Sequence, residues 1–212
     1  MKKKRKIPNA TLMILALSII VGCNDGFTPR PWGYFRIDLP EKSYRSFEAE
    51  CPFTFEYPAY AEVVKHKSET SIPYWYNIEF PDFGGRLYLT YHAILQEGEA
   101  DSSKGPVEQY QEDARKFAMN HTVKASAIEE DVIFNEAKNV YGILYHIKGL
   151  NTASSVQFYM TDSTDHFFRG ALYFDVAPRN DSLAPVIDFI REDVVKLIES
   201  FQWKSSADYA SE

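Results

Sequence analysis

The chain has 212 residues, with 23 basic and 30 acidic side chains and a net charge of −7. This surplus of acidic groups disfavours binding to nucleic acid or to anionic lipid through the general surface. A chain of this length buries roughly 70% of its unfolded surface, so a hydrophobic core can hold it together.

The first 23 residues have the pattern of a secretory signal that ends in a lipid attachment site. Residues 2–6 are all basic, and an apolar run from 12 to 21 follows. That run is about ten residues long, whereas a transmembrane helix needs about 20. Residues 20–23, Ile-Val-Gly-Cys, resemble the bacterial lipobox, in which diacylglycerol is attached to the cysteine thiol before cleavage in front of it. We therefore predict a signal peptide over 1–22 and lipid attachment at Cys23, with an ordinary secreted protein as the alternative.

Cleavage would leave a more acidic chain with one free thiol. Removing 1–22 deletes five basic residues and no acidic ones, so 18 basic and 30 acidic side chains remain, a net charge of −12. If Cys23 carries lipid, Cys51 has no partner for a disulfide, and we expect it to be a buried structural thiol. Residues 23–32 contain two prolines and are predicted to form a short, extended tether.

Strand patterns dominate the rest of the chain, which we predict to be one domain over 33–204 with a polar tail over 205–212. The patterns alternate apolar and polar residues or are rich in Tyr, Phe, Val and Ile. The predicted strands are Tyr34–Leu39, Phe53–Tyr57, Trp75–Phe80, Arg86–Ala93, Ile128–Phe134, Val140–Lys148, Ser155–Thr161 and His166–Val176.

Two segments have helical spacing instead. Apolar residues recur every three or four positions between Val107 and Ala118, just after Pro106, and more strongly from Val186 to Phe201. The second helix is predicted to be amphipathic, starting beside Pro185 and running to Trp203. Its polar face is assigned four acidic residues: Asp188, Glu192, Asp193 and Glu199.

This order of elements predicts an α+β fold with a mostly antiparallel sheet covered by helices and an amphipathic C-terminal helix. The arrangement looks like that of Mog1/PsbP-type proteins. By analogy alone, such a fold supports binding and scaffolding more often than catalysis.

Sequence motifs for catalysis or cofactor binding are absent. The chain contains no Walker loop, dinucleotide fingerprint, nucleophile elbow or zincin helix, so no cofactor is predicted. None of the five histidines has metal-ligand spacing, although His92 and His146 lie in predicted strands and could meet across a sheet. The best local combination is His166 with Asp162 or Asp165, preceded by serines at 154 and 155. A turn explains the two aspartates better than a catalytic site does, and a hydrolase or ligand-binding protein is kept as the alternative function.

Aromatic side chains are frequent in the predicted strands, for example at 74–76, 167–168 and 173–174. Alternate residues of a strand face opposite ways, so some rings must point away from one face of the sheet. The favoured interpretation is that helices cover both faces. The alternative is an aromatic binding surface, because Tyr and Trp are enriched in binding hot spots.

The stretch after the tether carries a family resemblance. Residues 29–42, Pro-Arg-Pro-Trp-Gly-Tyr-Phe-Arg-Ile-Asp-Leu-Pro-Glu-Lys, are followed by Tyr44 and by 51–58, Cys-Pro-Phe-Thr-Phe-Glu-Tyr-Pro. This pattern resembles the GldD family of gliding motility lipoproteins of Bacteroidota, and the resemblance extends over essentially the whole mature chain.

The resemblance implies a membrane-anchored, non-enzymatic component of the gliding apparatus, which is linked to type IX secretion. The partners it implies are other gliding-machinery lipoproteins and type IX secretion components. It brings no catalytic residue, metal or cofactor. The candidate partner-binding residues are Tyr34, Phe35, Arg36 and Asp38, within the Gly33–Pro40 segment. The domain is expected to face the periplasm, because no acidic cluster directly follows Cys23.

Overall fold

A computed structural model of the protein describes residues 37–66, 74–94, 105–175 and 180–205. The strands in these residues are β1 (Tyr44–Ser46), β2 (Phe53–Thr54), β3 (Glu56–Pro58), β4 (Glu62–Lys65), β5 (Tyr76–Phe80), β6 (Gly85–Ala93), β7 (Ala127–Asn135), β8 (Val140–Lys148), β9 (Ser154–Thr161), β10 (His166–Phe174) and β11 (Gln202–Trp203). Seven of them form one antiparallel sheet in the order β4-β5-β6-β10-β9-β8-β7. The predicted α+β fold with a mostly antiparallel sheet is confirmed.

Two α-helices accompany the sheet, α1 (Pro106–Met119) and α2 (Asn180–Ser200). Helix α1 begins with Pro106 at its first position, where the missing N–H of proline leaves no hydrogen bond unmade. Helix α2 begins before Pro185, which lies inside it, and ends three residues before Trp203. Both predicted helices are therefore present, and α2 is longer at its start than the apolar stripe indicated.

The two helices pack on opposite faces of the sheet, as the alternation of side chains along each strand requires. In β10, Phe168 and Leu172 point into the larger core, which contains the apolar residues of α2. Phe167 points into the smaller core, which contains Ala114 and Ala118 of α1. We call these two sides the α2 face and the α1 face. The prediction that helices cover both faces of the sheet is confirmed.

Short strands complete the α2 face. β1 pairs with β3, and β2 pairs with β11, so the segment before the sheet and the segment after α2 are hydrogen-bonded together. Phe53 of β2 is fully buried, with its ring centroid 6.1 Å from that of Phe201 and 4.8 Å from that of Phe168. This ring cluster joins the first and last parts of the described chain.

One predicted strand is wrong over its described part. Ile37 to Leu39 has no strand structure, and the first three residues of the prediction lie outside the described residues. The alternating pattern was too short to establish a strand, because a strand also needs a pairing partner and Pro40, which cannot donate a ladder hydrogen bond, follows directly. Conversely, β4 was missed because its four residues, Glu-Val-Val-Lys, do not alternate.

The described residues belong to one compact unit, and none of their helices is long and apolar enough to cross a membrane. The predicted signal peptide, tether and polar tail lie outside the described residues, apart from Ser205. Their limits, and the domain boundary at residue 33, stay predictions.

Candidate binding surfaces and polar clusters

The predicted partner-binding residues lie where the described chain begins. Tyr34, Phe35 and Arg36, like Cys23, fall outside the described residues. Asp38 is described and exposed. Its neighbour Ile37 is half-buried and packs against the larger core, so the segment is fixed to the domain from its first described residue. The structure therefore places Asp38 at the surface and leaves the other three as predictions.

A buried carboxylate on α2 anchors the residues that follow this segment. The side chain of Asp193 is 1% exposed. Its Oδ1 accepts hydrogen bonds from Lys42 Nζ at 3.0 Å and from Tyr44 Oη at 2.8 Å, and its Oδ2 accepts one from Tyr60 Oη. A buried carboxylate is stable only when its oxygens are paired in this way. We call these four residues the Asp193 cluster.

Lys42 is held from several sides at once. Its ammonium donates to the backbone oxygen of Phe189 at 2.6 Å, lies 4.1 Å from the centroid of the Phe189 ring, and is 3.0 Å from the exposed carboxylate of Glu192. The Lys42 side chain is 22% exposed, so it lies at the rim of the cluster, above the buried Asp193. These contacts fix the chain just beyond Pro40 to two turns of α2.

Both tyrosines of the cluster are held in their neutral form. Burial, followed by the hydrogen bond to Asp193, raises the pKa of Tyr60 far above its ordinary value. The same two causes raise the pKa of Tyr44. A phenol that donates to a buried carboxylate cannot lose its proton without placing two negative charges side by side. The cluster therefore has one anion, one cation and two neutral donors.

The assignment of Asp193 to the polar face of α2 was wrong. Asp188, Glu192 and Glu199 are exposed as predicted, whereas Asp193 is 2% exposed. Its position could have been found from helical spacing, because residue 193 follows Ile190 by three and precedes Leu197 by four. Both of these neighbours are buried in the larger core. An acidic residue at a core position of the apolar stripe of α2 was thus the sequence feature that indicated a buried carboxylate.

The His166 and Asp162 pair is explained by local structure. Asp162 Oδ1 accepts hydrogen bonds from the backbone N–H groups of Thr164, Asp165 and His166, at 2.9–3.0 Å. Its Oδ2 accepts from the hydroxyl of Thr164 at 2.9 Å. Burial opposes ionisation, but these hydrogen bonds outweigh it and hold the pKa of Asp162 below its ordinary value. The carboxylate is thus used to form the turn that sequence predicted.

His166 is likewise engaged in packing. Its Nδ1 lies 2.7 Å from Tyr91 Oη, and its ring is stacked on Trp203 with centroids 5.0 Å apart. The serines are at the other end of β9: Ser154 is separated from Thr161 by seven residues, about 23 Å along a strand. An open groove of about 390 Å³ does contain Asp162 and His166, but the arrangement of a serine triad is absent from these residues.

The two strand histidines do not meet. Between β6, which carries His92, and β8, which carries His146, lie β10 and β9. The two histidines also face opposite sides: His92 stacks on Tyr110 of α1 with centroids 5.1 Å apart, whereas His146 follows the side of Leu144, which is in the α2-face core. No group of three metal-binding side chains occurs among the described residues.

Cys51 is fully buried, as expected for a structural thiol. Burial raises the pKa of its thiol, and its Sγ donates to the backbone oxygen of Phe53 at 3.2 Å. A thiol of this kind is a poor nucleophile, because the reactive thiolate is disfavoured.

Comparison with known proteins gives a family and a distant structural likeness. A model of the family described as gliding motility lipoprotein GldD matches residues 24–203. No curated protein matches. Among solved structures, the chain is similar to the solution structure of cyanobacterial PsbP (CyanoP) from Synechocystis sp. PCC 6803. The identity is 12%, the match covers 80% of this chain and 97% of that chain, and the TM-score is 0.42.

Proposed function

Because the chain belongs to the gliding motility lipoprotein GldD family, we propose that it serves the gliding apparatus as a non-enzymatic assembly or stabilising module. In this proposal Cys23 carries the lipid, the domain faces the periplasm, and the Gly33–Pro40 segment docks other lipoproteins of the apparatus. The link to type IX secretion is part of the same proposal.

The observation that supports a docking role most directly is the Asp193 cluster. Lys42 and Tyr44 are bound to a buried carboxylate, only a few residues after the proposed docking segment. A binding segment gains affinity when its attachment is rigid, since less conformational entropy is lost on association. The cluster holds the chain rigidly to the domain core at Lys42 and Tyr44, directly after the proposed docking segment.

The proposal of a non-enzymatic role draws on the state of the polar side chains. The candidates for chemistry were His166 with Asp162 or Asp165, and the structure uses Asp162 to hold a turn and stacks His166 on Trp203. Cys51, which was expected to be structural, is buried in the core. A general base or nucleophile must instead be free to contact a substrate. The described polar groups are better suited to holding the fold than to catalysis.

The docking role is tested by charge substitution in the segment. Tyr34→Glu and Phe35→Glu are each expressed in cells that lack the wild-type protein, and the lipoprotein is purified from detergent extract with its bound partners. Both variants are expected to lose the other gliding lipoproteins while the domain keeps its thermal unfolding midpoint. Leu150→Glu is the matched control, because Leu150 is 60% exposed and lies in the loop between β8 and β9.

Two results would contradict this role. If Tyr34→Glu and Phe35→Glu recover the same partners as Leu150→Glu, the segment is not the docking site. If both variants also lower the thermal midpoint, Tyr34 and Phe35 stabilise the domain itself, and the loss of partners reflects unfolding and not a lost docking contact.

A further inference from the structure

Within the described part of the chain, the sheet ends in a long strand whose outer edge has no strand partner. β7 has nine residues and pairs only with β8 among the described residues. Such an edge presents unpaired backbone N–H and C=O groups, and proteins usually protect it with short strands, lysines or a covering element. The opposite edge strand, β4, has only four residues and carries Lys65. β7 has acidic residues in its first half and no lysine.

The second half of β7 exposes apolar side chains. Val132 is 78% exposed and Phe134 is 70% exposed, and both project from the α1 face because they are two residues apart. Between them, Ile133 points to the other face and packs at the margin of the larger core. There it lines a groove of about 290 Å³, together with Val195 and Ile198 of α2. The edge is therefore apolar on both faces over three consecutive residues.

The sequence of this part of the strand is complementary to itself. Residues 131–135 read Asp-Val-Ile-Phe-Asn, with a polar residue at each end of three apolar ones. In an antiparallel pair, residues directly opposite share a face of the sheet. A two-fold axis between identical strands must therefore lie midway between one residue and the same residue of the second copy, and we name the axis by that residue. An axis through Ile133 places Val132 opposite Phe134 of the second copy, and Asp131 opposite its Asn135.

Neighbouring registers are less favourable. An axis through Asp131 would place two carboxylates directly opposite each other, and like charges in that position destabilise a strand pair. An axis through Val132 would place Glu130 opposite Phe134 and Asp131 opposite Ile133. The pairing about Ile133 ends beyond Asn135, where Glu136 begins a 3-10 turn. One register thus matches apolar with apolar and polar with polar over five residues.

We propose that β7 is a self-association edge, through which two copies of this chain join their sheets about Ile133. The exposed Val132 and Phe134 of each copy would be covered by those of the other, and the grooves beside α2 would lie together across the axis. Members of a lipoprotein family are held on one membrane surface, which raises their local concentration and favours even a small interface. This inference does not depend on the docking role of the Gly33–Pro40 segment.

Cysteine cross-linking in membranes tests the register. In the proposed pair the two Ile133 Cα atoms are about 4.5–5.5 Å apart, which a disulfide can bridge. Ile133→Cys in the full-length lipoprotein is expected to give an oxidant-dependent band of twice the monomer mass. Val64→Cys is the matched control, because Val64 is an exposed apolar residue of the opposite edge strand and should remain monomeric. The native Cys51 does not interfere, since it is fully buried.

Further variants separate a specific pair from random collision. Asp131→Cys alone should not cross-link, because the two residues 131 would be about 13 Å apart, whereas mixed with Asn135→Cys it should. Phe134→Glu added to Ile133→Cys should abolish the dimer band without changing the circular dichroism spectrum, as Phe134 is exposed.

Three outcomes would overturn the proposal. These are a monomeric Ile133→Cys protein, equal cross-linking at Val64→Cys or Asp131→Cys, and a cross-link from residue 133 to a different protein. The last result would mean that the edge binds a strand of another component.

Discussion

Replacing Asp193 with asparagine should be among the most destabilising isosteric changes in this chain. The amide has the same shape as the carboxylate, so no cavity is created and packing with α2 is kept. What changes is the charge: Lys42, Tyr44 and Tyr60 all donate to this carboxylate. An amide offers one oxygen acceptor in place of two, and its NH₂ group faces donors. At least one of the three donors loses its partner.

The expected loss follows from burial. Removing one member of a buried ion pair costs about 3–5 kcal/mol, and a hydrogen bond to a charged group contributes about 1.5–3 kcal/mol. Lys42 keeps the backbone oxygen of Phe189 and the exposed carboxylate of Glu192, and it is itself 22% exposed. These remaining contacts place the expected cost for Asp193→Asn at the lower end, about 3 kcal/mol.

Urea denaturation of the purified protein measures this loss. If the free energy of unfolding falls by about 2 kcal/mol per molar urea, the urea midpoint of the Asp193→Asn variant should be about 1.5 M lower than that of the wild type. The control is Asp188→Asn on the same helix, where the carboxylate is 63% exposed and pairs with Arg191 at 2.7 Å. An exposed pair of this kind contributes at most about 1 kcal/mol. If the two variants unfold at the same urea concentration, the Asp193 cluster does not stabilise the fold as argued.

Three further predictions test the turn, the sheet and the titration of the cluster. Asp162→Ala should lower the free energy of unfolding at pH 7 by about 1–2 kcal/mol, since backbone N–H groups lose their acceptor. Because the pKa of Asp162 is lowered in the fold, its contribution is present above the unfolded value and is lost on acidification, so the variant's stability should fall less steeply below pH 4. Gly142→Ala should cost about 3 kcal/mol or more in thermal unfolding, because a Cβ atom there would lie 1.9 Å from the backbone oxygen of Tyr159. Since the pKa of Tyr60 is raised in the fold, its stabilisation is complete below pH 10 and is lost as pH rises, so Tyr60→Phe should flatten the alkaline loss of stability.

Each of these has a result that would contradict it. Asp165→Ala is the control for the turn, and equal effects at 162 and 165 would remove the special role of the first carboxylate. A Gly142→Ala protein with an unchanged midpoint would mean that β8 and β9 can separate locally without cost. An alkaline unfolding curve unchanged by Tyr60→Phe would place the titration elsewhere, and Tyr145 would be the next residue to replace, because burial raises its pKa to about 12.

Much of the fold could be predicted because its longer elements carry repeated signals. β8 and α1 have enough residues for alternation or helical spacing to stand out, and both were found. β1 and β4 have three and four residues, too few for a period to be recognised. Their positions depend on pairing with partners, which a local pattern does not contain. The predicted strand at Tyr34–Leu39 failed over its described part for the same reason.

The polar cluster was harder to predict than the apolar core. Asp193 was assigned to the polar face because acidic residues are usually exposed, although its spacing from Ile190 and Leu197 indicated a core position. To predict that Asp193 is buried, one would also have to identify the cation that pairs with it. That cation is Lys42, which is 151 residues away in sequence. The turn at Asp162 was predictable because all of its hydrogen bonds are made within four residues.

The same separation has a consequence for the order of folding. The acceptor of Lys42 and Tyr44 lies on α2, and the strand partner of Phe53 is Trp203, so the first part of the domain is completed by the last. Contacts between residues so distant in sequence form late and slow the folding of a chain. An N-terminal fragment emerging from the ribosome would lack the Asp193 carboxylate, which binds Lys42 and Tyr44, and β11, which pairs with β2. If the signal peptide predicted for 1–22 directs export, folding that depends on the final residues would keep the precursor unfolded while a translocation channel can still accept it.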